Sequence, residues 1–128
     1  MWYMASVEVP PATVETQPVV EEIPLTLGTI ERVLVGFPRG CAGLVHVTLH
    51  DKGWQILPWT LGESLAWDDY MFDLQLHYPL VAEPYTVIVR AWNQDDSYPH
   101  TVFVGIGLTE GQPDESFLNF LRALKEVA

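Results

Sequence analysis

Apolar and polar residues alternate with a period of two along most of this chain, the signature of half-buried β-strands. The alternation is cleanest over Ala42–His50, where Val45, Val47 and Leu49 face one way and His46, Thr48 and His50 the other. It recurs over Leu27–Phe37, with Val33, Val35 and Phe37 on one face. Over Tyr70–His77 it sets Phe72, Leu74 and Leu76 against Met71, Asp73, Gln75 and His77. Turn signals punctuate these runs. Pro38-Arg39-Gly40 ends the first, and Asp51-Lys52-Gly53 predicts a hairpin between Ala42–His50 and a strand over Trp54–Trp59. Thr60–Tyr70 has no regular period and reads as a loop.

The stretch Tyr85–Leu108 holds two β-rich runs around the polar segment Asn93–Tyr98. Read as a hairpin, it places Val89 opposite Val102, Val87 opposite Val104 and Tyr85 opposite Ile106, while Ile88 meets Phe103 on the other face. In that register Ile88, Trp92 and Phe103 form an apolar strip directed away from the core, which a partner or another part of the chain must cover. Short strands with turns between them predict an all-β domain over residues 25–110, an antiparallel β-sandwich or jelly roll.

Both ends depart from this pattern. Residues 1–24 carry prolines at 10, 11, 18 and 24, four glutamates and no lysine or arginine, which predicts an extended or disordered N-terminal arm with Ser6–Val9 and Val19–Ile23 as short strand-like pieces. Apolar residues remain frequent in it, so Trp2, Tyr3, Val7, Val9, Val19 and Ile23 are candidate contacts to a neighbouring subunit. Residues 111–128 open with a turn, and Phe117, Phe120, Leu121 and Leu124 then recur at i, i+3, i+4 and i+7. That spacing predicts a short C-terminal amphipathic helix whose apolar face must dock, on its own sheet or on a neighbouring subunit.

Composition narrows the function. Seventeen acidic against six basic side chains give a formal charge of −11, which repels phosphate backbones and anionic membranes, so neither nucleic acid nor a membrane is an expected partner. No stretch reaches the roughly 20 apolar residues of a membrane span, and the first residues lack the basic region of a secretory signal. A single cysteine, Cys41, excludes an internal disulfide and fits synthesis in a reducing compartment such as the cytoplasm.

Candidate chemistry is sparse. His46 and His50 stand about 13 Å apart on one strand, too far to share a metal ion. The pairs Asp68-Asp69 and Asp95-Asp96 sit in loops, and Asn93, Asp95 and Asp96 offer oxygens at a spacing that Ca²⁺ uses, although Asp and Asn are common in plain turns. No nucleophile motif or phosphate-binding glycine loop occurs, and nothing in the spacing of Asp68, Asp69 and Asp95 supports a hydrolytic pair. The expectation is a protein that is not an enzyme and needs no cofactor.

Phe37 to Val47 (Phe-Pro-Arg-Gly-Cys-Ala-Gly-Leu-Val-His-Val), followed by Trp92 to His100 (Trp-Asn-Gln-Asp-Asp-Ser-Tyr-Pro-His), resembles small β-sandwich proteins encoded among the structural genes of tailed bacteriophages. The resemblance covers roughly residues 28–108. It implies a non-enzymatic virion component, a capsid decoration or cement protein that sits on a capsid shell while a terminal arm clasps a neighbour. Self-association, as a homotrimer, belongs to the same reading. The competing class is a carbohydrate-binding module, with Trp54, Trp59 or Trp67 as a stacking platform and the acidic loops holding Ca²⁺.

Overall fold

The computed structural model describes residues 1–111 together with Ala123 and Leu124. The strands are β1 (Trp2–Val9), β2 (Val19–Pro24), β3 (Gly28–Phe37), β4 (Val45–Asp51), β5 (Trp54–Leu57), β6 (Tyr70–Leu80), β7 (Thr86–Asn93) and β8 (His100–Glu110). They form two four-stranded antiparallel sheets. Sheet A has the order β1-β8-β3-β6, and sheet B the order β2-β7-β4-β5. An all-β sandwich is therefore the architecture among the described residues.

The pairing is nested about the middle of the chain: β4 pairs with β5, β3 with β6, β2 with β7 and β1 with β8. Only β4 and β5 are joined within one sheet, by the turn at Lys52 and Gly53, where Lys52 takes a left-handed φ of 55°. This is the hairpin expected from the sequence. The other connections cross from one sheet to the other.

The alternating aliphatics meet between the sheets. Val33 and Val35 of β3, Val45, Val47 and Leu49 of β4, Val87 and Val89 of β7, and Val102, Val104 and Ile106 of β8 are fully buried. A bulge at Glu31 lets Ile30 and Val33 both face inward, where strict alternation would put them on opposite faces.

The pairing corrects two expectations. Residues 1–24 do not form a projecting arm. β1 pairs along its whole length with β8, β2 with β7, and Val7, Val9 and Ile23 belong to the core. The prolines at 10, 11, 18 and 24 stand at strand ends, where the missing donor and fixed φ cost little. Tyr85–Leu108 does not form a hairpin either. β7 lies in sheet B and β8 in sheet A, so Val87 and Val89 face Val102 and Val104 across the core instead of pairing with them. Two further bounds shift: the third expected strand ends at Leu57 and the Tyr70 strand runs on to Leu80. The helix expected within residues 111–128 lies outside the described residues apart from Ala123 and Leu124, both helical and exposed.

Candidate interaction surface

The outer face of sheet A is built by the residues left over when the alternating strands bury their aliphatics. Cross-strand partners give three rows: Trp2, Gly107, Arg32 and Gln75; then Met4, Gly105, Leu34 and Asp73; then Ser6, Phe103, Gly36 and Met71. Trp2 is 42% exposed, Met4 64% and Met71 46%, so apolar side chains cover much of a face that points at solvent.

Glycines let this surface lie flat. A Cβ on Gly107 would meet the Trp2 ring at 3.3 Å, and one on Gly105 the Phe103 ring at 3.4 Å. The two aromatic rings therefore lie down over bare backbone. Arg32 bonds Asp73 through two nitrogens, one at 2.7 Å, and stands 5.7 Å from the Trp2 ring centroid. That bond holds the Asp73 carboxyl below the usual carboxylate range. The charges at the centre of the face are thus neutralised within it.

The residues expected to bind a partner divide between several places. Trp2 and Phe103 lie on this face, and Tyr3, Val7, Val9 and Ile23 turn inward from β1 and β2. Val19 is half-buried against the core. Ile88 and Trp92 are on the outside of sheet B, so the strip of Ile88, Trp92 and Phe103 does not exist: its members sit on opposite sides of the sandwich. Trp92 is also covered, 8% exposed and stacked on His46 at 5.3 Å with 5° between the rings. Met4, Leu34 and Met71 were missed. Their signal was an apolar residue on the polar side of an alternating strand.

The connections after β1, β3, β5 and β7 meet at one end of the sandwich. Ala12 N–H donates to Asp95 O, Gln94 N–H to Leu44 O, and Gly43 N–H to Trp67 O. The acidic loops turn their oxygens into this network. Asp68 accepts from the N–H groups of Gly40 and Ala42, both at 2.8 Å. Asp95 accepts from the N–H groups of Ser97 and Tyr98 through one oxygen, and the other lies 2.9 Å from His100 Nε2.

The Ca²⁺ candidates are engaged in the same way. The Asn93 amide donates to Val9 O and Tyr98 O and accepts from Asp95 N–H, and Asp96 accepts from the Ser97 hydroxyl. Among the described residues no three His, Cys, Asp or Glu side chains converge as metal ligands. These loops are turns closed by their own side chains.

That bonding sets an acid limit on stability. The His100 bond, then the Ser97 N–H, lowers the Asp95 carboxyl, and the Ala42 and Gly40 N–H groups lower Asp68. A carboxyl depressed in the folded state stabilises fully above its unfolded value of about 3.9, and the contribution is lost as pH falls through the folded value. Melting temperature should therefore fall steeply below about pH 4, and less steeply in an Asp68→Asn, Asp95→Asn double variant that starts lower at neutral pH. Thermal melts across that range check this, and parallel curves would refute it.

On the opposite side a cleft of about 470 Å³ lies over sheet B, with Arg90, Thr48, His50 and Trp92 in its lining and Glu15 and Glu63 beside them. His50 Nε2 bonds the Thr48 hydroxyl at 2.8 Å, and its buried Nδ1 has no partner among the described residues. Burial, then the nearby Arg90 charge, pushes the His50 pKa down. Trp54, Trp59 and Trp67 are 66%, 65% and 58% exposed.

No family model matches the chain, and no curated protein matches it. Among solved structures it is similar to the coat protein of Tobacco streak virus at 14% identity and a TM-score of 0.33, over 90% of this chain and 94% of that one. A likeness of that size carries no argument about fold or function.

Proposed function

We propose that this chain is a non-enzymatic structural assembly protein, a component of a virion that oligomerises through the outer face of sheet A. The observation that carries the reading is that face: Trp2, Met4 and Met71 exposed, with Phe103 and Leu34 between them, on a chain of net charge −11. Exposed apolar surface of this kind marks interaction sites on proteins that are otherwise charged. The nested strand order adds support. It supports reading the sandwich as a jelly roll, an architecture used by viral shells, lectins and cupins. Among the described residues, aliphatic side chains fill the space between the sheets.

A homotrimer on a capsid shell is the finer form of the proposal, with decoration or cementing as the role. Sedimentation at micromolar concentration should give an oligomer. A Met4→Asp, Met71→Asp double variant should sediment as a monomer with an unchanged melting temperature, and should lose co-sedimentation with particles. A wild-type monomer that ignores particles would end this reading.

The three exposed tryptophans favour a second reading, a carbohydrate-binding module with Trp54, Trp59 or Trp67 as the platform. A glycan array read with and without chelator separates the two.

A further inference from the structure

We infer that β1 pairs antiparallel with β1 of a second copy of the chain across a twofold axis at Ala5, which joins the two A sheets into one of eight strands. This goes beyond the assembly reading above: the contact is an edge, and it leaves the two outer faces side by side and free to bind.

The pairing with β8 fixes which backbone groups of β1 are free. The Met1 nitrogen donates to Leu108 O and Leu108 N–H donates to Met1 O, both at 2.8 Å, so Met1 and Leu108 form a hydrogen-bonded pair. The register from Trp2 opposite Gly107 to Val9 opposite His100 is unbroken. Antiparallel partners alternate between bonded and non-bonded pairs. Tyr3, Ala5, Val7 and Val9 therefore turn their backbone groups to β8, and Trp2, Met4, Ser6 and Glu8 turn theirs away from it. Among the described residues β8 is the only strand paired with β1, so the N–H and C=O groups of those four residues stand on an open edge.

An open edge is a template for further pairing unless it is blunted. The other three edges are blunted: β2 carries Glu21, Glu22 and Pro24, β5 has four residues, and β6 carries Asp73, His77 and Pro79. β1 has no proline, lysine, arginine or bulge, and Glu8 is its single charged side chain.

The occupant is a second β1 because the strand is complementary to itself. With the axis at Ala5, Trp2 pairs with Glu8 of the partner subunit and Met4 with Ser6 of the partner subunit, so every free group of the four residues is bonded. Moving the axis to Met4 or to Ser6 leaves one residue of each copy unpaired. Ala5 meets its own copy as a non-bonded pair, where Cα atoms approach to about 4.5 Å and a small side chain fits. The two Glu8 side chains stand about 20 Å apart along the strands, well beyond the roughly 8 Å at which salt screens exposed charges.

Two measurements on the full chain test this. Ser6→Pro removes an N–H from the open edge and none from the β8 ladder, a position where edge strands accept proline. The variant should melt within a few degrees of wild type while its sedimenting mass halves, whatever contacts the outer face adds. Met4 stands at the seam, so Met4→Asp strikes edge and face together, and Ser6→Pro strikes the edge alone. Ala5→Cys should give a covalent dimer on a non-reducing gel after mild oxidation, because the Cα separation suits a disulfide. Glu8→Cys, about 20 Å from its copy, should stay a monomer on the same gel. The native Cys41 is buried and does not compete. If Ser6→Pro fails to melt cooperatively, the gel decides alone. An unchanged mass in a folded Ser6→Pro, or cross-linking of Ala5→Cys no greater than that of Glu8→Cys, would overturn the edge contact. A wild-type chain that still sediments as an oligomer would then leave the outer-face reading intact.

Discussion

Deleting residues 1–24 is expected to abolish folding, leaving a chain without dispersed amide resonances or a cooperative melt. The deletion removes one strand from each sheet. β1 supplies the full pairing of β8 on one side, and β2 that of β7. It also removes Val7, Val9 and Ile23 from the core, all at least nine-tenths buried. Burying one such side chain contributes about 1.5–3 kcal/mol, so the three together match much of the 5–15 kcal/mol that holds a typical domain. The loss does not stop there. β7 and β8 would become open edges, and unpaired edges beside exposed aliphatics promote aggregation. A projecting arm predicts the opposite result, a deletion variant that melts like the intact protein. Retained cooperativity within a few degrees of wild type would mean that β1 and β2 are not integral to the two sheets.

How much of this was legible in the sequence depends on what alternation encodes. A period of two determines which side chains share a face, and that information was recovered: Val33, Val35, Val45, Val47, Leu49, Val87, Val89, Val102 and Val104 are all buried. It does not determine which strand lies alongside. The six residues from Gln94 to Pro99 are enough chain either to close a hairpin or to cross the roughly 10 Å between packed sheets. Composition at that turn is the same in both cases. The error over residues 1–24 has a different origin. Four prolines in 24 residues suggest chain that leaves its own domain, yet prolines at strand ends are compatible with sheets, and the alternation of Tyr3, Ala5, Val7 and Val9 was the better guide.

The proposed interaction surface was partly readable for the same reason. Trp2 and Phe103 could be singled out as apolar residues, but their meeting on one face follows from β1 pairing with β8, a contact across nearly the whole chain. Local pattern carries no information at that separation. The acidic loops were legible as turns. Their role in joining one end of the sandwich was not, because it depends on four loops distant in sequence.

Replacing Asn93 with alanine is expected to destabilise the fold by about 3 kcal/mol, a large effect for a single polar side chain. Asn93 is fully buried at the end of β7, and three segments converge on it. Its amide nitrogen donates to Val9 O at 3.2 Å and Tyr98 O at 3.0 Å, and its amide oxygen accepts from Asp95 N–H at 2.9 Å. Its backbone N–H donates to Thr13 O at 3.0 Å. Alanine keeps only the backbone bond, leaving two carbonyls and one N–H without their partner. Each such group costs about 1–3 kcal/mol when water cannot reach it. The bonds to Tyr98 and Asp95 are partly accessible, whereas the bond to Val9 is buried, which places the total near the low end of that sum. The melting temperature should fall by roughly 10 °C for a chain of this size. Asp96→Asn is the control, because among the described residues Asp96 bonds only the neighbouring Ser97 hydroxyl, at an exposed site, and it should melt like wild type. If Asn93→Ala also melted like wild type, solvent would have to be replacing the amide. The end of the sandwich would then be held by the backbone ladder alone, with Asn93 a tolerated turn residue.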